Sequence, residues 1–375
     1  MIQNIFILIY RLARYKAEWR KQFREIKIRK LQRLSIYKIE PETEKIVLFF
    51  IPGADYFSGK ENISGGLISI MSLFEETTNI YNDTSVKTIC STFYNDHLIY
   101  KLTTFDNNTP ILRPKLIESY FKNIKQLILH IPELYVEEFV KLLDDNSWFK
   151  DIDLVQINIL NQNIQLMPNK QVVHQLRYSF SKITITTAHK KYCNLNYKNE
   201  YGVPLHLFST YVSPEFYSHC IYDQKEKLIL FSPDNSRLSN ELIKLISKDL
   251  PQFKFQIIEG LTYEAYKQLI SKALFVITLG EGLDGYFVET YFSGGVAFAI
   301  KNMNFFDEKY IDLPCLFEKD ESLSQVILNL IVKYNSPEKY NLLNSKIKFL
   351  LSEDYSYKTY KNNIRKFYNE EYTYQ

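Results

Sequence analysis

Between Ala273 and Ile300 the chain carries one pattern that few folds accommodate. The apolar run Ala273 to Leu279 stops at Gly280-Glu281-Gly282, and a short amphipathic stretch then leads to the Gly294-Gly295 pair. A second apolar run, Val296 to Ile300, follows. Read by periodicity this is strand, glycine loop, helix and strand, one βαβ unit of a parallel sheet. Such a loop lies at the carboxyl end of a strand, where open α/β sheets bind ligands and where free backbone N–H groups attract phosphate or sugar oxygens. Glu281 stands in the loop, and Glu289 follows eight positions later, roughly two helical turns along. One carboxylate at the loop and one on the helix suit a sugar nucleotide. The first meets sugar hydroxyls, the second meets ribose, and neutral amides face the diphosphate between them. A solvated helix face bearing two glutamates is the bland alternative.

The rest of the chain repeats the same alternation. Lys45 to Ile51, Val86 to Phe93, Gln126 to His130, Leu154 to Leu160 and Lys182 to Thr187 read as strands of a first half. Leu67 to Thr77 and Pro132 to Leu143 read as helices within it. Lys227 to Ser232 and Phe253 to Ile258 open a second half as strands, with helices predicted over 240–248, 263–271 and 323–334. The 375 residues therefore predict two α/β domains, with a boundary between Leu207 and Asp223 and a partly helical C-terminal segment, Tyr355 to Tyr374.

Charge is unevenly spread. Residues 1–40 hold eleven Lys/Arg and three Glu, a balance of +8 against +3 for the whole chain, so the remainder carries −5. In this arm Leu8, Leu12, Tyr15, Trp19, Phe23 and Ile26 recur at spacings of three and four, with basic residues mostly between them. The pattern predicts an amphipathic helix with a basic face and an aromatic-rich apolar face, suited to an anionic membrane surface through residues 1–34. A helix packed on the protein's own surface is the other reading. Nucleic acid is not an expected partner, because the remainder is acidic and carries no reading module. Cys90, Cys193, Cys220 and Cys315 are scattered, without metal-ligand spacing, and point to a reduced, cytosolic protein. No secretory signal is convincing, and the apolar stretch Ile5 to Tyr10 is too short to span a bilayer.

The segment TLGEGLDGYFVETYFSGGVAFA, Thr278 to Ala299, resembles the Glu-x7-Glu motif of GT-B glycosyltransferases, above all the family 4 retaining enzymes of bacterial surface-polysaccharide synthesis. The segment Ile183 to Tyr217, with its YGVP turn and SPEFY stretch, resembles the end of the first domain in that family, and Ile63-Ser64-Gly65-Gly66 resembles its first glycine-rich loop. The resemblance covers most of residues 45–375 and is tight only around Glu281. It implies α/β architecture of the GT-B type, two Rossmann-like domains facing a central cleft. The domains expected are a basic helical arm at 1–40, an acceptor domain at 41–212, a donor domain at 213–350, and a helix at 351–375 crossing back to the first domain. It further implies a metal-independent transferase (hexosyltransferase-like) that moves a sugar from a nucleoside-diphosphate sugar to a lipid-linked or polysaccharide acceptor, needs no cofactor, and works at the inner face of the cell membrane.

By the same resemblance Glu281 touches the donor sugar and Glu289 the ribose. Arg237 falls near the family's diphosphate lysine, while Pro233 stands near its usual arginine; a surface arginine beside a turn is the other reading of Arg237. The amides of Gly282, Leu283, Asp284 and Gly285, and those of Gly65 and Gly66, are expected to share the diphosphate. Asp284 reads more naturally as a helix cap. His130 ends the QLILH strand, matches a strand-end histidine of the family, and is expected to touch donor or acceptor; a structural histidine is the alternative. His189 is a weaker candidate. Asn161-Gln162-Asn163 can bind hydroxyls but cannot act as a base. No Asp-x-Asp follows a strand where a metal-dependent transferase would place it, so no metal is expected. Two other classes stay open: a non-catalytic GT-B scaffold that binds membrane or a partner through its arm, and a GT-B sugar-nucleotide epimerase.

Overall fold

The protein is described by a computed structural model covering residues 14–16, 18–20, 22–23, 25–27, 29–30, 33–51, 65–82, 84–94, 111–143, 152–209, 218–261, 263–318 and 322–375. Residues 1–13 of the arm, Ile63-Ser64 of the first glycine loop, and the SPEFY stretch lie outside these.

Two parallel sheets make up the fold. The first contains β1 (Lys45–Ile51), β2 (Lys87–Thr92), β3 (Ile111–Leu112), β4 (Gln126–Pro132), β5 (Leu154–Asn161), β6 (Lys182–Thr187) and β7 (Leu205–Leu207), in the order β3-β2-β1-β4-β5-β6-β7. The second contains β8 (Glu226–Phe231), β9 (Lys254–Ile257), β10 (Ala273–Thr278), β11 (Val296–Ile300) and β12 (Leu316–Phe317), in the order β12-β11-β10-β8-β9. β1, β10 and β11 are nearly continuous apolar runs because helices cover both faces of a parallel sheet. β10 and β11 are buried along their whole length. Strand order reverses between β1 and β4 in the first sheet and between β8 and β10 in the second, and the loops leaving these strands are where such sheets take ligands.

Short edge strands escaped the sequence reading. β3 and β7 have two and three residues, too few to show alternation. The helix Pro337–Tyr355 also escaped it, since its buried face mixes Tyr340, Leu343, Ile347 and Leu351 with Asn344 and Asp354. Asn344 is buried for a reason. Its Nδ2 donates to the carbonyls of Tyr291 (3.0 Å) and Gly295 (2.6 Å), at and just beyond the end of the Gly285 helix.

The chain returns to the first half at Ser356, later than the 351 boundary expected, because the Pro337 helix belongs wholly to the second core. Ser356 caps the next helix, Tyr357–Tyr368, whose Tyr360, Ile364 and Phe367 enter the core beside β1. An isolated bridge between Tyr374 and Leu205 fastens the C-terminus to β7. At the turn Asp354, nearly buried, gathers Lys190 of the first half (3.1 Å), with Lys309 (2.5 Å) and Tyr310 (2.8 Å) of the second.

The N-terminal helix sits on the first half through polar contacts. Arg113 donates to both oxygens of Glu25, at 2.6 and 3.0 Å, and Ile36 is buried in the first core. Its aromatic stripe stays open, with Trp19 61% exposed and stacked on Phe23. Among the described residues no helix is long and apolar enough to cross a membrane.

His130 is wholly interior. Its ring stacks on Phe49 at 4.3 Å, accepts from Asn158 Nδ2 at Nδ1 (2.9 Å), and meets the Tyr368 hydroxyl at Nε2 (2.9 Å). Burial pushes its pKa down to about 3, so the neutral ring is the native form. The unfolded chain binds a proton at this residue below about pH 6.5 and the native state does not, so acid costs stability here. His130→Leu is expected to destabilise by about 1–3 kcal/mol at pH 7, because Asn158 and Tyr368 lose a buried partner. The gap to wild type should narrow by about 2 kcal/mol at pH 5, measured by urea unfolding at both pH values.

Candidate functional site

A cleft of about 470 Å³ lies between the two sheets at their carboxyl ends. Its walls come from the ends of neighbouring strands: Pro132 at the end of β4 and Glu133 after it, Asn163 after β5, Pro233 and Asp234 after β8, and Glu281 after β10.

The loop after β10 is shaped by two glycines. A Cβ at Gly280 would lie 2.7 Å from the Cβ of Asp234, so only glycine lets the two loops meet this closely. Gly282 has φ +83°, and a Cβ there would strike the Ile300 carbonyl at 2.4 Å. Leu283 then plugs into the second core, and Asp284 caps the helix Gly285–Phe292 by accepting from Phe287 N–H at 2.9 Å. The Thr278 hydroxyl donates to its other oxygen, also at 2.9 Å. Of the four residues expected to offer amides to a diphosphate, only Asp284 and Gly285 line the cleft. Gly282 and Leu283 do not, and the Asp284 side chain already occupies the helix N-terminus by accepting from Phe287 N–H.

Glu281 and Glu289 both line this one cleft, Glu289 nearly buried within the Gly285 helix. Glu281 meets the first half directly, accepting from Asn163 Nδ2 at 2.5 Å. Burial, then the neighbouring carboxylates of Asp234 and Glu133, push its pKa up to about 7, against the downward pull of Asn163. Burial and the charges of Asp234 and Glu281 hold Asp284 well above the usual carboxylate range, although Phe287 N–H and the Thr278 hydroxyl oppose them. Asp234 is raised by burial too, partly relieved by the Ser232 side chain.

The remaining expected residues divide sharply. Gly65 opens the helix Gly65–Tyr81, and Gly66 and Leu67 line the cleft from its first turn. His130 does not reach the cleft. The expectation of a catalytic role is corrected, because its side chain points sideways into the layer closed by Tyr368. Arg237 is corrected likewise: it is 91% exposed and pairs with Glu241 at 3.2 Å, since Ser239, Leu242 and Ile246 take the inward face of its helix. Among the described residues that line the cleft there is no Lys or Arg. His189 does line it, with burial pushing its pKa down to about 4. No three His, Cys, Asp or Glu side chains among the described residues are grouped to hold a metal ion.

Sequence reasoning missed Glu133 and Asp234. Glu133 was absorbed into a helix predicted from Pro132, whereas it begins a 3-10 turn, Glu133–Tyr135, one residue past a switch-point strand. That position was the available signal.

No family model matches the chain, and no curated protein matches it in sequence. Solved structures match its fold. Anabaena HepE, crystallised in complex with UDP and glucose, is 10% identical over 87% of this chain and 100% of its own, with a TM-score of 0.57. TarM is 11% identical over 88% and 99%, with a TM-score of 0.52. The trehalose-6-phosphate synthase OtsA is 8% identical over 87% and 98%, with a TM-score of 0.50. The chain has the GT-B fold of these neighbours, two Rossmann-like domains on parallel sheets.

The raised Glu281 carries a sign that can be measured. A carboxyl whose native pKa lies above its unfolded value contributes stability that is present at low pH and lost as pH rises through about 7. Glu281→Gln should therefore exceed wild type by up to about 3 kcal/mol at pH 8, and by under about 1 kcal/mol at pH 5, in denaturant melts.

Proposed function

We propose that the protein is a glycosyltransferase, moving a sugar from a nucleoside-diphosphate sugar to a glycan or lipid-linked acceptor in cell-surface glycan synthesis. The observation that carries this reading is the convergence of Glu281 and Glu289, from a strand-end loop and the following helix, on one interdomain cleft at the switch points of both sheets. Glu281 grips the sugar hydroxyls and Glu289 the ribose hydroxyls, as the Glu-x7-Glu resemblance implies. HepE, which shares the fold, was crystallised with UDP and glucose, in keeping with a UDP-sugar donor here.

Departure of the diphosphate concentrates negative charge, and the cleft must meet it without a described Lys or Arg. The Gly65–Tyr81 helix supplies the alternative. It is 17 residues long, has no acidic residue in its first turn, and turns Gly66 and Leu67 toward the cleft, so its dipole favours an anion there. Retention of configuration and independence of metal belong to the reading through the family resemblance.

The absence of a described cleft cation is the one feature favouring a non-catalytic GT-B scaffold instead. Melting-temperature shifts with a panel of sugar nucleotides separate the two. A shift of several degrees with a UDP-sugar in wild type, lost in Glu289→Ala, is expected; no shift with any sugar nucleotide sinks the enzyme reading.

The same proposal includes binding of the arm to the cytoplasmic face of a membrane. Tyr15, Trp19, Phe23 and Ile26 are exposed, and Lys27 lies over the Phe23 ring at 4.9 Å, which puts charge beside apolar surface. Flotation with phosphatidylserine vesicles should recover the protein at low salt and recover little of a Trp19→Ala/Phe23→Ala variant. Equal flotation of the two would remove the arm from the proposal.

A further inference from the structure

Asn163 follows β5 in the first half, yet its side chain ends on the second. Its Nδ2 donates to Glu281 Oε1 at 2.5 Å, across the cleft that both residues line. The rest of the residue is pinned. Oδ1 accepts Gln165 N–H at 2.9 Å, capping the 3-10 turn Ile164–Leu166, and the backbone N–H donates to buried Glu133 at 2.9 Å. A flipped amide would set Nδ2 against an N–H and Oδ1 against a carboxylate, so its neighbours fix its orientation. The turn is itself held between the halves, with Ile164 packed on the second core and Met167 on the first.

Capping the turn needs only the oxygen, which aspartate or serine also supplies. What the amide adds is a donor on its other side. That donor meets a carboxyl set among acids: Asp234 from the loop after β8, Glu133 from the first half, and Asp284 at the cap of the Gly285 helix. Glu289 and His189 line the same cleft. These neighbouring acids favour a protonated Glu281, and a protonated carboxyl is a poorer acceptor for sugar hydroxyls than a carboxylate.

We propose that Asn163 is a positioning residue: reaching over from the acceptor half, its amide holds Glu281 in the place from which it grips the donor sugar, so the sugar site is complete only while the two halves stand together. The inference rests on the transferase reading above. Glu281 carries the contact to the sugar, and Asn163 acts through it. The ribose contact belongs to Glu289 in that reading and lies outside this device, so nucleotide and sugar respond differently to its loss. Burial, then Asp234 and Glu133, raise the Glu281 pKa to about 7 while Asn163 opposes them. Without the amide the carboxyl therefore ionises only at higher pH.

The test uses the full chain with UDP, UDP-glucose and UDP-N-acetylglucosamine, read as melting shift and as UDP release with water as acceptor. Asn163→Ser and Asn163→Asp both keep a side-chain oxygen for Gln165 N–H and lose the donation to Glu281; aspartate also sets a negative charge beside it. Both are expected to keep the fold by circular dichroism and the shift given by UDP, and to lose most of the extra shift that the sugar adds. At pH 7, kcat/KM for UDP release should fall about tenfold in Asn163→Asp, and less in Asn163→Ser. The acid limb of its pH profile should move up by about 1 pH unit in Asn163→Asp, and the deficit of Asn163→Ser should narrow toward pH 9. Glu133, also near 7, faces the backbone N–H at 163, which both variants keep, so the limb that moves belongs to Glu281. An unmoved acid limb in Asn163→Asp, an extra sugar shift equal to wild type, or an equal loss of the UDP shift would each overturn the assignment. So would a deficit constant with pH, as a broken turn gives, or failure of both variants to fold. If wild type shows neither shift nor UDP release, the transferase reading fails first and this inference goes with it; an active wild type beside unaffected variants sinks this inference alone.

Discussion

The two halves face each other because the chain crosses between them in one direction and is fixed after returning. The Pro337–Tyr355 helix is committed to the second core, and the Tyr357–Tyr368 helix drives Tyr360, Ile364 and Phe367 into the first. Burying three large side chains is worth several kcal/mol by area, so the return is an integral part of the first domain. Asp354 closes the joint by gathering Lys190 from one half and Lys309 from the other. Removing the carboxylate would leave two lysines and the Tyr310 hydroxyl around a nearly buried position, the costly way to break such a network.

Within the cleft the electrostatics run against simple expectation. Glu133, Asp234, Glu281, Asp284 and Glu289 line the cleft proposed to take a diphosphate, with no Lys or Arg among its described lining residues. Two features reconcile this. Glu133 and Glu281 have pKa values near neutrality, so the full negative charge is not present below about pH 7. The positive field comes from backbone, through the first turn of the Gly65–Tyr81 helix, at the opposite wall. In the proposed function the carboxylates serve the hydroxyl groups of a sugar nucleotide and its acceptor, and the backbone serves phosphate.

Much of this was legible in the chain. β1, β10 and β11 follow from apolar runs and β6 from the Ile/Thr alternation of KITITT, and Val296–Ile300 matches its predicted bounds. The glycine loop and the capping role of Asp284 were readable because local chemistry alone decides them. What failed was direction. Whether a strand-end histidine points along the sheet edge or into the layer beneath depends on what covers the sheet, and Tyr368 arrives from 238 residues away. Arg237 failed for a related reason: its helix turns Ser239 and Leu242 inward, and one step of 100° per residue separates a phosphate ligand from a solvated charge. Glu133 is hidden by a helix pattern that begins at Val136, four residues after the predicted start at Pro132.

The contact between Gly280 and Asp234 has a wider consequence. Because the missing side chain at 280 is the space that the Cβ of 234 occupies, these two positions behave as a single locus. Alanine at 280 would clash even with alanine at 234, so a bulkier residue at one requires glycine at the other. Relatives of this chain should therefore show paired exchange at these sites, with the carboxylate migrating across the loop or vanishing from both.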